Sequence, residues 1–436
     1  ASSISTGRRR PHPSRRAPEM AGSFDVLRQR NFAMFWGAAA ISNAGSWMQI
    51  VALPEIVFRI TGKATSLGTA AVAGVVPTIV LTPLFGALAD RFSRRMLLLV
   101  SQTLLMVVSL VLWILYTSGQ LTVGRIIILN VITGAANGMN FPVWTSLVPL
   151  LVAREHLISA VRLNSLQYTV GRVFGPVSAG VVIAAWGPGA AILINAVTFV
   201  MVLIALVFIR PRAAGNVAVS TSVWTSVVEG ARFVWHHWPL RVVCLMIFLN
   251  GVFAMSFTQL APAVAEGAYG KSGKFNAVLL MAMGIGAATS SFIIVTRGDR
   301  FRHSTLVTGS FLGVGVAIAL MASATTAVVG VIGYFLLGLF QVATNISVNS
   351  AMQTLAPDHM RGRVVSMYMT AVMTAGPLGT LVIGALADVQ TMRVALLITS
   401  AAVAAIVAVL HTTGVLANLD APHLGLPADV IANGSA

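Results

Sequence analysis

Gly86-Ala-Leu-Ala-Asp90-Arg91-Phe-Ser-Arg94-Arg95 is a short charged segment in an otherwise apolar part of the chain. Its four charged residues sit between apolar runs at roughly 66–85 and 96–116. Each run has about the 20 residues that a helix needs to cross the hydrocarbon of a bilayer. So short and charged a turn between two such runs reads as a connection at a membrane surface.

Working outward, ten more runs of similar length emerge. The first six spans are expected at 32–57, 66–85, 96–116, 124–150, 164–185 and 189–209. The second six are expected at 242–264, 275–296, 305–323, 327–350, 364–387 and 392–413. Backbone in lipid must close its own hydrogen bonds, and these runs are far longer than barrel strands. The fold class is therefore all-α, a polytopic membrane protein of twelve helices. Composition agrees. The 436 residues are 57% hydrophobic and 9% charged, with a mean hydropathy of +0.86. Soluble chains carry about 25% charged residues.

Charge sorting sets the orientation. With the N-terminus inside, 21 of the 28 Lys and Arg residues fall on the cytoplasmic side and six on the outer side; Arg172 lies within a span. Leaving out the basic tail the ratio is still 14 to 6. The positive-inside rule then places both termini in the cytoplasm. The net charge of +16 thus reflects membrane topology and attraction to anionic lipid; no nucleic-acid partner is expected. The Ser-, Pro- and Arg-rich tail over residues 1–30 reads as disordered and has no apolar signal segment. Met20 offers a start, with residues 1–19 as an extension. Arg-rich, Lys-poor usage points to a high-GC bacterium, hence to a bacterial cytoplasmic membrane.

Residues 211–240 read as a cytoplasmic linker with a surface helix anchored by Trp224, Trp235 and Trp238. They separate a bundle over 31–210 from one over 241–414; residues 415–436 form a tail. Four anchors recur between the halves: Asn43 with Asn250, Gly62-Lys63 with Gly270-Lys271, Asp90-Arg91-Phe92 with Asp299-Arg300-Phe301, and Gly175-Pro176 with Gly376-Pro377. Their offsets run from 201 to 209 residues in constant order, the mark of a duplicated transporter fold.

The opening stretch resembles the loop between the second and third helices of major facilitator superfamily transporters. It matches at Gly86, Leu88, Asp90, Arg91, Arg94 and Arg95 and departs at Ser93, where that family has Gly. The resemblance implies a conformational gate, with Asp90 capping a helix N-terminus across the bundle interface. It also implies charge pairing by Arg91, Arg94 and Arg95. Gly171-Arg-Val-Phe-Gly175-Pro176-Val-Ser-Ala-Gly180 resembles the fifth-helix motif of the superfamily's drug exporters. That motif implies a seal between halves and antiport. In the fourth helix, Asn130 stands where many exporters have Arg. The pattern resembles that of the third drug:proton antiporter family, which includes siderophore (enterobactin-type) and macrolide exporters.

The same resemblance implies that helices 1, 4, 7 and 10 line a substrate cavity. Their polar candidates are Asn43, Trp47 and Gln49; Asn130, Asn137 and Asn140; Asn250 and Gln259; and Gln341 and Asn345. Buried amides face protein or water, never lipid, so each also suits interhelical bonding. Glu55 and Arg172 are the charged candidates inside spans. Glu55 suits proton binding or an i,i+4 pair with Arg59; Arg172 suits ligand pairing or snorkelling. Asp388 and Glu266 read as interfacial.

No catalytic group, metal cluster, nucleotide loop or cofactor site is expected. The lone Cys244 reads as a core residue, and the adjacent His236 and His237 point to different helix faces. The expected function is export of hydrophobic or amphipathic small molecules by alternating access, driven by proton antiport, as a monomer. A siderophore or lysophospholipid transporter of the same fold is the nearest other reading, and a non-transporting membrane sensor a more distant one.

Overall fold

The computed structural model describes residues 25–210, 223–271, 273–297, 303–324, 326–357 and 360–413. All regular structure among them is helical. The first six spans are α1 (Arg30–Thr61), α2 (Ala64–Arg91), α3 (Arg94–Thr117), α4 (Val123–Leu147), α5 (Leu157–Trp186) and α6 (Pro188–Phe208). A surface helix, α7 (Val223–His236), follows. The seventh span is α8 (Trp238–Asn250) and α9 (Phe257–Tyr269), joined through a wide π turn at Gly251–Met255. Then come α10 (Lys274–Arg297), α11 (His303–Ser323), α12 (Ala327–Leu355), α13 (Arg361–Val389) and α14 (Met392–Thr412).

Ten spans are apolar and long enough to cross a membrane by composition alone. The remaining two of the twelve, α1 and α5, are 32 and 30 residues long and carry polar residues of the cavity described below. Helix α1 packs on α5 and α6, and α2 on α4; in the second half α10 packs on α12, and α11 on α12 and α14. The halves meet where α2 packs on α13 and α5 on α10.

Local chemistry sets the turns. Gly62 ends α1 at φ +62° and Gly270 ends α9 at φ +62°, a left-handed conformation that glycine adopts without steric cost. These two turns are one of the repeated pairs read from the sequence. Ser93 caps α3, its hydroxyl accepting from the Met96 amide at 3.1 Å, which gives a physical use to the residue that departs from the family pattern. The second copy of the Asp-Arg-Phe repeat, Asp299-Arg300-Phe301, lies outside the described residues, as do residues 1–24 of the basic tail, 211–222 and 414–436.

The four side-chain hydrogen bonds between the halves that are found among the described residues all sit at the end carrying Gly62. There Gly68 of α2 lies against the Leu381 backbone, so closely that a Cβ would overlap it. A Cβ on Gly384 would stand 2.6 Å from the Ala64 carbonyl oxygen. This end of the molecule is shut.

Candidate functional site: a central cavity

A cavity of about 490 Å³ runs from the middle of the first bundle toward the end carrying Ser93. Six of the sequence candidates line it: Asn43, Trp47 and Gln49 from α1, and Asn130, Asn137 and Asn140 from α4. Others come from helices that the sequence did not assign to the cavity lining: Gln102 and Ser109 on α3, Asn164 and Gln167 on α5, and Asn195 on α6. Trp144, Phe141 and Phe199 add aromatic surface. The second half contributes Met373. No charged side chain is among the described lining residues.

The amides form a cross-braced wall. Gln49 Oε1 accepts from Ser109 Oγ and from Asn195 Nδ2, both at 2.8 Å, tying α1 to α3 and α6. Gln102 Nε2 donates to Asn140 Oδ1 at 3.0 Å, and Trp144 Nε1 to Asn164 Oδ1 at 3.2 Å. Asn130 Nδ2 reaches the Ala70 carbonyl at 2.8 Å, joining α4 to α2. Two acceptors are left over: Gln102 Oε1 and Gln167 Oε1 are buried and have no hydrogen-bond partner. The two residues are only 3% and 7% exposed. A buried acceptor without a partner is costly, and these two oxygens stand behind the exposed surface of the wall rather than on it.

The fifth-helix glycines have two jobs. Gly171 lies against the Asn43 amide and Gly175 against the Trp47 side chain, so closely that a Cβ at either would overlap them. Both glycines therefore seat cavity residues of their own half. Gly180 faces the other half instead, where a Cβ would stand 2.5 Å from Met281 Cγ and 2.9 Å from the Ala277 carbonyl oxygen. Five residues turn a helix face by about 140°, which separates Gly180 from Gly175. Pro176 is buried within α5.

The second-half candidates stand apart from the cavity lining. Asn250, buried just before the π turn, donates to the Gln341 carbonyl at 3.3 Å. Gln259, Gln341 and Asn345 are also outside the lining. Glu55 is 2% exposed and uses both carboxylate oxygens. Oε1 accepts from Arg59 Nε at 2.6 Å and Oε2 from Asn276 Nδ2 of α10 at 2.8 Å. The i,i+4 pair read from the sequence thus exists, and a bond to the other half accompanies it.

At the Ser93 end, Arg95 donates to the Leu206 and Val207 carbonyls at 2.5 Å each. Its partners are the last carbonyls of α6, which no helical N–H satisfies, rather than a carboxylate. The side chains of Asp90, Arg91 and Arg172 lie outside the described residues, although the backbones of all three are helical. His236 and His237 face the carbonyls of Arg232 and Phe233 at 2.7 Å each. Trp235 and Trp238 are exposed and flank the Arg241 guanidinium.

The family model for transmembrane secretion effectors matches residues 21–425. The chain belongs to this family, within the major facilitator superfamily. Its relatives are transporters, not enzymes. This secretion effector is 26% identical to the multidrug efflux pump Tap of Mycolicibacterium fortuitum over 377 residues, 80% of this chain and 88% of that protein. It is 21% identical to macrolide efflux protein A of Streptococcus pyogenes over 367 residues, covering 82% and 89%. Among solved structures, the nucleoside transporter NupG superposes with a TM-score of 0.71 at 14% identity, covering 88% of this chain and 98% of that one. A bacterial homologue of the lysosomal transporter Spinster superposes with a TM-score of 0.66 at 10% identity, covering 92% and 97%. These structures share the fold.

Proposed function

We propose that this secretion effector exports uncharged, amphipathic small molecules across the cytoplasmic membrane by alternating access, coupled to proton antiport. The observation that carries the reading is the cavity: about 490 Å³, walled by amides and aromatic rings, with no charge among its described lining residues. Such a wall offers amide groups to hydroxyl and amine donors and stacks apolar surface on Trp47 and Trp144. The names of the efflux relatives favour the same class of substrate. A basic lining, which would favour an anionic siderophore or a lysophospholipid, is not present among the described residues.

The charge bias supports a cytoplasmic location for the Ser93 end. The closed Gly62 end is then the outer face, and the cavity runs toward the cytoplasm, where an exporter loads. Rocking of the two bundles about the α2–α13 and α5–α10 contacts would expose the cavity outward. Asp90 acts as the latch of that second state, capping α13 from the cytoplasmic end of α2. Glu55 is the proton site. As a carboxylate it accepts from Arg59 and Asn276 together; a proton on Oε2 replaces an acceptor by a donor facing the Asn276 amide and weakens the outer contact.

The test is transport in proteoliposomes holding the purified monomer, with and without a pH gradient. The panel pairs neutral macrocycles and glycosides with cationic and anionic compounds of equal size. Gradient-driven movement of the neutral set carries the reading; movement of anions alone sinks it. Equal, pH-independent substrate binding by wild type and Glu55→Gln removes the coupling role.

A further inference from the structure

The pentapeptide Gly86-Ala-Leu-Ala-Asp90 occurs twice in this chain, the second time as Gly384-Ala-Leu-Ala-Asp388. The first copy ends α2 and the second ends α13. These helices are the pair that packs across the interface between halves. They run antiparallel, since Gly68 meets Leu381 and Gly384 meets Ala64. They are also matched in length. Asp90 lies 26 residues past Ala64, the first residue of α2, and Asp388 lies 27 past Arg361, the first residue of α13. Asp388 therefore stands opposite the first turn of α2, and the matched lengths put Asp90 in register with the first turn of α13, about 40 Å away along the pair, when the other ends of these helices meet.

At the closed outer end the consequence is visible. The Asp388 carboxylate accepts from the Ala64 amide and the Thr65 amide, each at 2.8 Å, and from the Thr65 hydroxyl at 2.6 Å. The residue that should cap α2, Lys63, makes no side-chain cap of its own. Its cap comes from the other half of the molecule. That is unlike α3, α4 and α14, which Ser93, Thr122 and Thr391 cap locally. A carboxylate at a helix N-terminus satisfies orphan amides and complements the helix dipole. A local cap survives any rocking of the bundles, whereas this one exists only while the outer ends of α2 and α13 touch.

We propose that Asp388 is a state-selective latch, which holds the outer face closed by capping α2 and lets go when the bundles rock. It rests on the alternating-access reading but not on any substrate. At the opposite end of the pair, the start of α13 is the target of the Asp90 latch in the other state. The two aspartates then oppose each other across one interface, and the balance between them sets the resting state.

The experiment is a distance measurement. Spin labels go on Ser118→Cys, at the outer end of α3, and Ser323→Cys, at the outer end of α11, in a Cys244→Ser background. Double electron–electron resonance in nanodiscs then reads the ratio of outer-closed to outer-open molecules, with no substrate present. Asp388→Ala is expected to lower that ratio about five-fold, the usual effect of removing a helix cap. Asp388→Asn, which keeps one acceptor, should fall between it and wild type. Asp90→Ala should move the ratio the other way, and the double variant should return toward wild type. An unchanged ratio in Asp388→Ala overturns the proposal, as does a shift in the same direction as Asp90→Ala. Should Asp388→Ala not fold, Thr65→Val removes the hydroxyl bond alone: a smaller loss of the closed state supports the latch, and no change overturns it. Because the readout needs neither substrate nor gradient, a failure here is distinct from a failure of the efflux reading.

Discussion

The two halves of this transporter place their buried amides differently. In the first, Gln49, Ser109 and Asn195 join three helices around a cavity, and Gln102 and Gln167 keep free acceptors beside it. In the second, Asn250 reaches the Gln341 carbonyl, and Asn345 and Gln259 stay outside the lining. The same residue types at related positions thus build a wall in one bundle and join helices in the other. What separates them is the company they keep. Unpaired amide acceptors occur in both halves, since Asn250 Oδ1 and Asn276 Oδ1 are also buried without a partner; the difference is that in the first half amides from several helices converge on one space.

Substitutions in the two halves put that contrast to the test. The largest effect is expected from Gly175→Leu, which drives a side chain into Trp47. It should reduce efflux at least about ten-fold, because small volume increases in a tight contact already cost about 1–3 kcal/mol. Whole-cell efflux of a fluorescent substrate, normalised to membrane protein, measures it. Gln49→Ala comes next. Losing the shared acceptor strands Ser109 and Asn195, and it should destabilise the first half by about 2 kcal/mol and weaken ligand binding. Ligand-dependent thermal shifts would read both. Glu55→Gln should flatten the pH dependence of transport and lower the gradient-driven rate several-fold while leaving substrate exchange intact; flux at stepped external pH separates the two. The smallest effect belongs to the second half. Asn345→Ala should change substrate affinity less than about three-fold, the size of an average side-chain hydrogen bond in a membrane bundle. An Asn345→Ala loss as large as that of Gln49→Ala would erase the contrast.

Much of the fold was readable from one dimension. The expected spans at 66–85, 96–116 and 392–413 are the helices Ala64–Arg91, Arg94–Thr117 and Met392–Thr412, since a 20-residue apolar run has few other solutions in lipid. The cavity was only half readable. Asn43, Gln49 and Asn137 were found because the family likeness directs attention to α1 and α4. Ser109 and Asn195 were missed because a single polar residue in an apolar span looks the same whether it braces a cavity or joins two helices. Arg95 was expected to pair with a charge, yet it serves the carbonyls that end α6, a partner 111 residues away in the chain. Asp388 looked interfacial, and its pentapeptide lies outside the register of the repeated halves.

Twelve membrane spans, and which end of each is basic, are legible in the order of residues alone. Apolar length and the sorting of Lys and Arg act locally, so they are written along the chain. Only the tertiary structure decided which amides share a cavity, and that α2 takes its cap from α13. Those are relations between helices separated by as many as 324 residues, made when two surfaces close on each other. A bond that forms and breaks with that closure has no signature in either segment alone.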